Sequence, residues 1–342
     1  MIPDRVTKVP GSEQALKVSV LMTYFNKGAY VQEAVRSVLS STFTDFELIL
    51  VDDASTDDGL LKVRAMGDPR IIVLESPVNT GRAAAANRGL VAARGEYVAV
   101  LDADDLMHPE RLARQVAYLD CEPSVAVCGS WMLQFGAVNG VLEGPVSDEL
   151  IRSRMLQGIP LFYGSSMFRR SCVERGVRCD PAWRTPGMDH LFLVDLGAYG
   201  RYATIPETLT YYRMGEQNMA HGRDLLHDRR LMLVETFRKL GIKATEMEVE
   251  YQLVLHGMRN QVQSTTFVRG MKTWTKRLLE QNAALGIFPE EPFKKELAEQ
   301  WDRAFFAAAD SGLAPGIAHL CLSKRLSPAR LYYLLRRSLA GR

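Results

Sequence analysis

Four short apolar runs separated by helical patterns leave few folds open to the first hundred residues of this chain. The runs are Val18 to Thr23, Phe46 to Val51, Arg70 to Leu74 and Tyr97 to Leu101. Each is of strand length and rich in β-branched and aliphatic residues. Between the first two, Val31, Ala34, Val35 and Val38 recur at helical spacing within 30–39, and helices are expected again over 59–66 and 82–93. Near-continuous apolar strands alternating with helices predict a mostly parallel sheet covered on both faces, with right-handed crossovers. Ligands on such sheets bind beyond the carboxyl ends of the strands. Three of those ends are polar or acidic: Thr23-Tyr24-Phe25-Asn26, Asp52-Asp53 and Asp102-Ala103-Asp104-Asp105.

Beyond the fourth run the pattern loosens. A strand is expected at 125–135, a short helix at 147–156, glycine- and proline-punctuated loops around 158–164, 187 and 197, and a strand near 209–212. After Arg223 the periodicity is almost entirely helical, over 225–240, 247–258, 268–285, 292–309 and 327–339. The expected division is a polar tail at 1–16, an α/β unit at 17–220 with halves at about 17–120 and 121–220, and a helical region at 221–342.

Composition narrows the function classes. A hydrophobic fraction of 47% and a charged fraction of 24% describe an ordinary globular chain. A net charge of +2 gives no reason to expect a nucleic-acid partner. The five cysteines, Cys121, Cys128, Cys172, Cys179 and Cys321, lack zinc-site spacing and read as reduced thiols. No signal-peptide core or spanning-length apolar stretch is visible, so a cytoplasmic location is expected. No G-x-G-x-x-G follows the first strand, which argues against a dinucleotide-binding oxidoreductase, and no glycine-rich turn with a lysine supports a nucleotidyltransferase.

Three carboxylates within four residues, Asp102, Asp104 and Asp105, repel one another unless a cation sits among them. Oxygen-only ligation suits magnesium or manganese, which bridge to phosphate oxygens, so a diphosphate substrate is expected. Each Asp also reads as a turn or helix cap, and for Asp102 a cap on a helix near His108 is a real alternative.

The order and spacing of Val18-Ser-Val-Leu-Met-Thr-Tyr-Phe-Asn26, Ser40 to Glu47, Val51-Asp-Asp-Ala-Ser-Thr-Asp57, Asn79-Thr-Gly-Arg82 with Asn87, Gly95-Glu-Tyr97 and Leu101-Asp-Ala-Asp-Asp105 resemble the family 2 glycosyltransferases of the GT-A fold, over about 17–213. The resemblance implies a Rossmann-like α/β GT-A fold with a C-terminal helical region. It implies an inverting transfer of a sugar from a nucleoside-diphosphate donor, with a UDP-sugar favoured, to a hydroxyl of a glycan or lipid-linked acceptor in cell-surface polysaccharide synthesis. Thr23, Tyr24 and Asp53 would line the base pocket, with Asn26 beside them. Arg82 would approach base or phosphates, Asp102 opens the D-x-D motif, Asp104 would contact ribose or metal, and Asp104 or Asp105 would ligate the metal.

An inverting transfer also needs a general base. The segment Arg184-Thr-Pro-Gly-Met-Asp189-His190 resembles the family's acidic motif ahead of a helix, which makes Asp189 the expected base. Met188 replaces the acid that usually precedes it, and His190 is the alternative base. Gly215 stands where relatives often carry a histidine, leaving His221 as a substitute metal ligand. Trp183 and Arg184 are candidates for an acceptor wall.

From Ser311 onward the chain has no Asp or Glu but carries Lys324, Arg325, Arg330, Arg336, Arg337 and Arg342. Leu331, Leu334, Leu335 and Leu339 share one face of the final helical pattern. This reads either as packing on the preceding helices or as a peripheral contact with the inner face of the plasma membrane, and the helices are also candidates for homodimerisation. A rival to the enzyme reading is an inactive nucleotide-sugar-binding or scaffold protein of the same fold.

Overall fold

The computed structural model describes residues 16–340 except 159, 184–185, 216–223, 259–261, 263 and 324–326, and only the backbone at 338–340. The expected alternation is present: β1 (Val18–Tyr24), α1 (Val31–Leu39), β2 (Phe46–Asp52), α2 (Gly59–Arg64), β3 (Ile71–Glu75), α3 (Arg82–Ala92) and β4 (Tyr97–Val100). β1 pairs in parallel with β2 and β4, and β2 with β3. Side chains alternate across this sheet. Val20, Met22, Leu48 and Leu50 pack with the buried faces of α1 and α4 (Arg111–Cys121), while Leu21, Ile49 and Val51 pack with α3.

The second half departs from the parallel expectation. It holds β5 (Leu106–Met107), β6 (Val125–Gly136), β7 (Gly140–Leu142), α5 (Asp148–Ser153), β8 (Met167–Arg169), α6 (Arg170–Glu174), α7 (Met188–Leu196) and β9 (Arg201–Met214). The full order is β3-β2-β1-β4-β8-β6-β9-β5, with β7 on β6. β8 joins the halves by antiparallel pairing to both β4 and β6, and only β6 and β9 pair in parallel there. At three residues β8 is too short for a periodic signal. β9 begins at Arg201, well before the expected 209, because Pro206-Glu207 interrupts its pattern where the register with β6 shifts.

The helices that follow are α8 (Leu225–Leu240), α9 (Glu246–Leu255), α10 (Thr265–Leu285), α11 (Glu290–Asp310), α12 (Leu313–Ser323) and α13 (Pro328–Ala340). Phe237, Trp274, Phe293 and Trp301 belong to the same apolar cluster as α3 and the buried side of α7, while Phe305, Ala309, Leu320 and Leu334 form a separate one that holds α12 and α13 on α11. α12 was not expected from the sequence.

Two motif residues of the first half serve the scaffold. The buried Glu47 carboxylate accepts hydrogen bonds from Ser19 Oγ (2.7 Å), Arg94 N (2.9 Å) and the Arg94 guanidinium (2.6 Å). A Cβ on Gly95 would lie 2.4 Å from Ser19 N, so no larger residue fits there without displacing β1. Replacing Glu47 by Ala strands these donors and is expected to cost about 2–3 kcal/mol. The check is the urea midpoint at unchanged slope, and an unaltered midpoint would contradict the assignment.

Candidate active site

The loops after β1, β2 and β4 and the start of α7 enclose a cleft of about 810 Å³. It is lined by Thr23, Tyr24, Asn26, Asp53, Arg82, Asp102, Asp104, Trp183 and Asp189, so residues expected from five separate segments meet in one place. Asp105 sits just behind it, 1% exposed. His221 and Arg184 lie outside the described residues.

Each residue is placed by its local chemistry. Asn26 adopts a left-handed conformation (φ 52°), and its side-chain oxygen accepts from Thr56 N at 2.8 Å, tying the first loop to the second. Burial raises the Tyr24 hydroxyl above its ordinary value, and its oxygen has no hydrogen-bond partner. Asp53 is buried, which disfavours its charge. Donors from Thr80 N (2.8 Å), Thr80 Oγ1 (2.7 Å) and Gly81 N (2.7 Å) nevertheless hold its carboxyl below the usual range. Those bonds fix the turn at Gly81 (φ 88°) that launches α3 and presents Arg82.

At the tip of β4 the carboxylates are partly neutralised by the chain itself. Lys27 Nζ lies 2.5 Å from Asp104, and Arg82 lies 3.5 Å from Asp102. Burial raises Asp102, with Arg82 opposing the shift and the charges of Asp104 and Asp189 adding to it. Asp105 is pushed up to about 9 by burial and by Asp102. Its Oδ1 accepts from Arg213 N at 2.9 Å, whereas its Oδ2 is buried without a partner. A Cβ on Gly164 would lie 3.2 Å from one oxygen of Asp102 and 3.8 Å from Oδ2 of Asp105, so the two carboxyls converge on a gap that only glycine leaves open.

That orphaned oxygen and the oxygen-only donor set fit a hard divalent cation. Among the described residues no three acidic, histidine or cysteine side chains form a closed cage. A magnesium or manganese ion here would therefore be held by one or two carboxylates, the rest of its shell coming from phosphate oxygens and water.

Behind the motif lies a residue that sequence reasoning missed. Arg111 is fully buried and donates to the carbonyls of Val100 (2.8 Å), Gly164 (3.0 Å) and Ser166 (3.1 Å). It pins the end of β4 to the segment entering β8, and burial pushes its guanidinium down to about 10. Arg213 does similar work from β9, donating from Nε to Asp104 O at 2.8 Å and pairing with Glu33. Asn87 exchanges two amide hydrogen bonds with the backbone of Cys179, at 2.7 and 2.9 Å, and so fastens α3 to the chain leading to α7.

Asp189 occupies the first turn of α7, half-buried in the cleft wall. His190 is fully buried and does not line the cleft. Its Nε2 lies 3.1 Å from Thr236 Oγ1, which in turn donates to Met232 O. Trp183 donates to Pro186 O at 3.3 Å, and its ring packs partly against the core.

Residues 19–175 match the family described as Glycosyl transferase family 2. The chain is 37% identical over 165 residues to the putative glycosyltransferase EpsE of Bacillus subtilis, a match covering 46% of this chain and 58% of that protein. It is 34% identical over 244 residues to the succinoglycan biosynthesis protein ExoO of Rhizobium meliloti, covering 66% of this chain and 67% of that one. Staphylococcus aureus TarS, solved with UDP-GlcNAc, superposes with a TM-score of 0.58 at 18% identity over 90% of both chains. A Pyrobaculum calidifontis mannosyltransferase solved with GDP-Man and Mn2+ gives 0.52 at 20% identity over 86% of both. The chain belongs to the family 2 glycosyltransferases and has their GT-A fold.

The buried histidine sets an acid limit on stability. Burial, aided by the charge of Arg229, lowers His190 from 6.5 to about 3. As pH falls below 6.5 the unfolded chain takes up a proton that the folded chain refuses, so stability is lost progressively between about 6.5 and 3. Urea midpoints from pH 7.5 to 4.5 should fall less steeply in His190→Gln than in wild type, and equal slopes would count against this reading.

Proposed function

We propose that the protein is a metal-dependent, inverting glycosyltransferase that moves a sugar from a nucleoside-diphosphate donor to a hydroxyl of a glycan or lipid-linked acceptor. The observation that carries the reading is the meeting of Asp189 with Asp102, Asp104 and Arg82 in one cleft, although the two sets lie more than 80 residues apart in sequence. Asp189 comes from a segment separate from the group of carboxylates and lines the same cleft, which gives an inverting displacement a candidate for its general base.

Thr23, Tyr24 and Asp53 are assigned to the base, with Asn26 holding their loops together. The carboxylate of Asp53 can accept the ring N-H of a uracil or a thymine, and the resemblance to the family favours a UDP-sugar as donor. Arg82, beside Asp102, is assigned to the base or the phosphates. Asp104 is assigned to the ribose or the metal, Asp104 or Asp105 to the metal, and Asp102 opens the D-x-D motif. When bound, manganese or magnesium supplies charge stabilisation for the departing diphosphate. Asp189 is assigned as the base that accepts the proton of the acceptor hydroxyl, and Trp183 as an acceptor wall. His190, sealed against Thr236, is assigned a structural role, and His221 stays a candidate ligand outside the described residues. Residues 17–220 are taken as the catalytic unit.

The names of three similar proteins support this reading. ExoO is a succinoglycan biosynthesis protein, which points to cell-surface polysaccharide as the setting, and the TarS and Pyrobaculum complexes hold nucleotide sugars. In thermal-shift titrations one nucleoside diphosphate among UDP, dTDP and GDP should stabilise the protein only with manganese, and Asp104→Ala should abolish that response. Asp189→Asn should keep the response and lower turnover by about 10²–10⁴-fold. A diphosphate response absent from wild type under every metal condition would instead favour the inactive scaffold.

A peripheral membrane role is assigned to the last two helices. No helix among the described residues is long and apolar enough to cross a membrane. On α13, Leu334 is buried, but Leu331, Tyr332 and Leu335 are exposed, as is Ile317 on α12, beside Arg336 in a stretch without acids. An apolar strip flanked by arginines suits an anionic lipid surface on the cytoplasmic side. The protein should co-sediment with vesicles containing phosphatidylglycerol and not with purely zwitterionic ones. Leu331→Ser with Leu335→Ser should reduce the bound fraction severalfold, and binding unchanged by that pair would remove the assignment.

A further inference from the structure

Arg229, in the second turn of α8, has no hydrogen bond or carboxylate partner among the described residues, although it is half-buried. Its neighbours in burial are all matched. Arg111 is bound to three carbonyls, Arg152 to Asp148, Arg213 to Glu33 and Arg330 to Asp302. The Nε of Arg229 is sealed from solvent without an acceptor, while its two terminal nitrogens are not sealed. With nothing to offset it, desolvation lowers the guanidinium to about 10.

The fold makes room for this charge. Gly158 has φ 146°, and a Cβ there would lie 2.6 and 2.7 Å from the two terminal nitrogens. The positive φ favours glycine here, and the space left by the missing Cβ is taken by the guanidinium. The nearest titratable groups cannot neutralise the cation: His190 and His256 are both kept uncharged by burial and by Arg229 itself.

Two observations locate Arg229 relative to the cleft. α7 and α8 run side by side in the same direction: Gly187 faces Met232, His190 meets Thr236, and Asp195 pairs with Lys239 at 2.7 Å. Arg229, one turn before Met232, thus extends past the N-terminal end of α7, the end that carries Asp189. The segment from Gly158 to Gly164 also runs from the guanidinium to the carboxylates of Asp102 and Asp105. Six residues reach at most about 20 Å. Arg229 does not line the donor cleft. The chain between Gly158 and Gly164 bounds its distance from those carboxylates, and the direction of α8 puts it toward the end of α7 that carries Asp189.

We propose that Arg229 is an acceptor-side anion site, whose terminal nitrogens take an oxyanion carried by the acceptor at a position offset from the hydroxyl that is glycosylated. The proposal rests on the glycosyltransferase reading above and deepens it, because it makes the acceptor a phosphate- or carboxylate-bearing molecule. A planar guanidinium suits both, and bidentate contact is what an unpaired arginine offers that a lysine does not.

The test uses the full chain saturated with UDP and manganese, so that the donor cleft does not itself bind the probe. Glucose 6-phosphate, glucuronate and neutral glucose are titrated into wild type, Arg229→Gln and Arg229→Lys, and binding is read by calorimetry. At least one anionic sugar should bind wild type about tenfold or more tightly than glucose, Arg229→Gln should lose that advantage, and Arg229→Lys should retain part of it. A preference for the phosphate or for the carboxylate identifies the acceptor chemistry. The melting temperature without probe gives a second measure: removing an unpaired desolvated cation should leave Arg229→Gln as stable as wild type or more so. Equal anion affinity in wild type and Arg229→Gln, or a marked destabilisation of that variant without any anion effect, would overturn the proposal. The UDP response is recorded separately for each protein. Its loss in wild type would count against the donor assignment, while the anion comparison between the proteins is still read.

Discussion

Everything at this site depends on holding acidic side chains together at the end of one strand. Asp102, Asp104 and Asp105 follow β4 directly, and Asp189 is brought up to them by α7. Their mutual repulsion at the edge of a low-dielectric core has to be offset by something rigid. The chain does so in two layers. Arg82 and Lys27 face the outer carboxylates from the cleft, and Arg111 and Arg213 hold the backbone behind them. The outer pair lines the cleft, while the inner pair is committed to carbonyls and to the amide facing Asp105.

The buried arginine also explains why the two halves of the sheet meet where they do. Arg111 comes from α4, before β6 in sequence, yet it bonds the end of β4 and both sides of Ser165 at the entry to β8. β8 is only three residues long and would be marginal as a free strand. Its place between β4 and β6 is fixed as much by these side-chain bonds, and by Gln115 donating to Ser165 O at 2.8 Å, as by its own ladder. The gap at Gly164, where Asp102 and Asp105 converge, is a consequence of that anchoring.

The sequence carried the first half of the fold almost completely, because each strand there is a continuous apolar run and each helix has a clear apolar face. β1 to β4 and α1 to α3 fall within a residue or two of where periodicity places them. The second half was legible only in part. β8 is too short to show alternation, Pro206 hides the first third of β9, and α12 follows α11 after a break too brief to separate by pattern. For the site, residues at strand ends were readable, since acids after apolar runs are conspicuous, and so was Asp189 through its resemblance. Arg111, Gln115 and Arg229 were not: a polar residue buried through contacts distant in sequence leaves no local trace, and Arg229 stands among other charged residues of an ordinary helix.

The helical region is therefore more than an addition beyond the sheet. Met232 packs on Gly187, the cap of α7, and Thr236 holds His190 one turn later. Asp189 lies between those two contacts, so the direction in which its carboxylate enters the cleft is set by α8 rather than by the sheet. α8 is supported in turn by the cluster that includes Phe237 and Trp274, and Trp274 donates to Gln252 of α9 at 2.7 Å. The carboxylates after β4 are thus carried by β-strands and Asp189 by helix packing. Divergence in the C-terminal helices can alter how Asp189 enters the cleft while the carboxylates after β4 stay where they are.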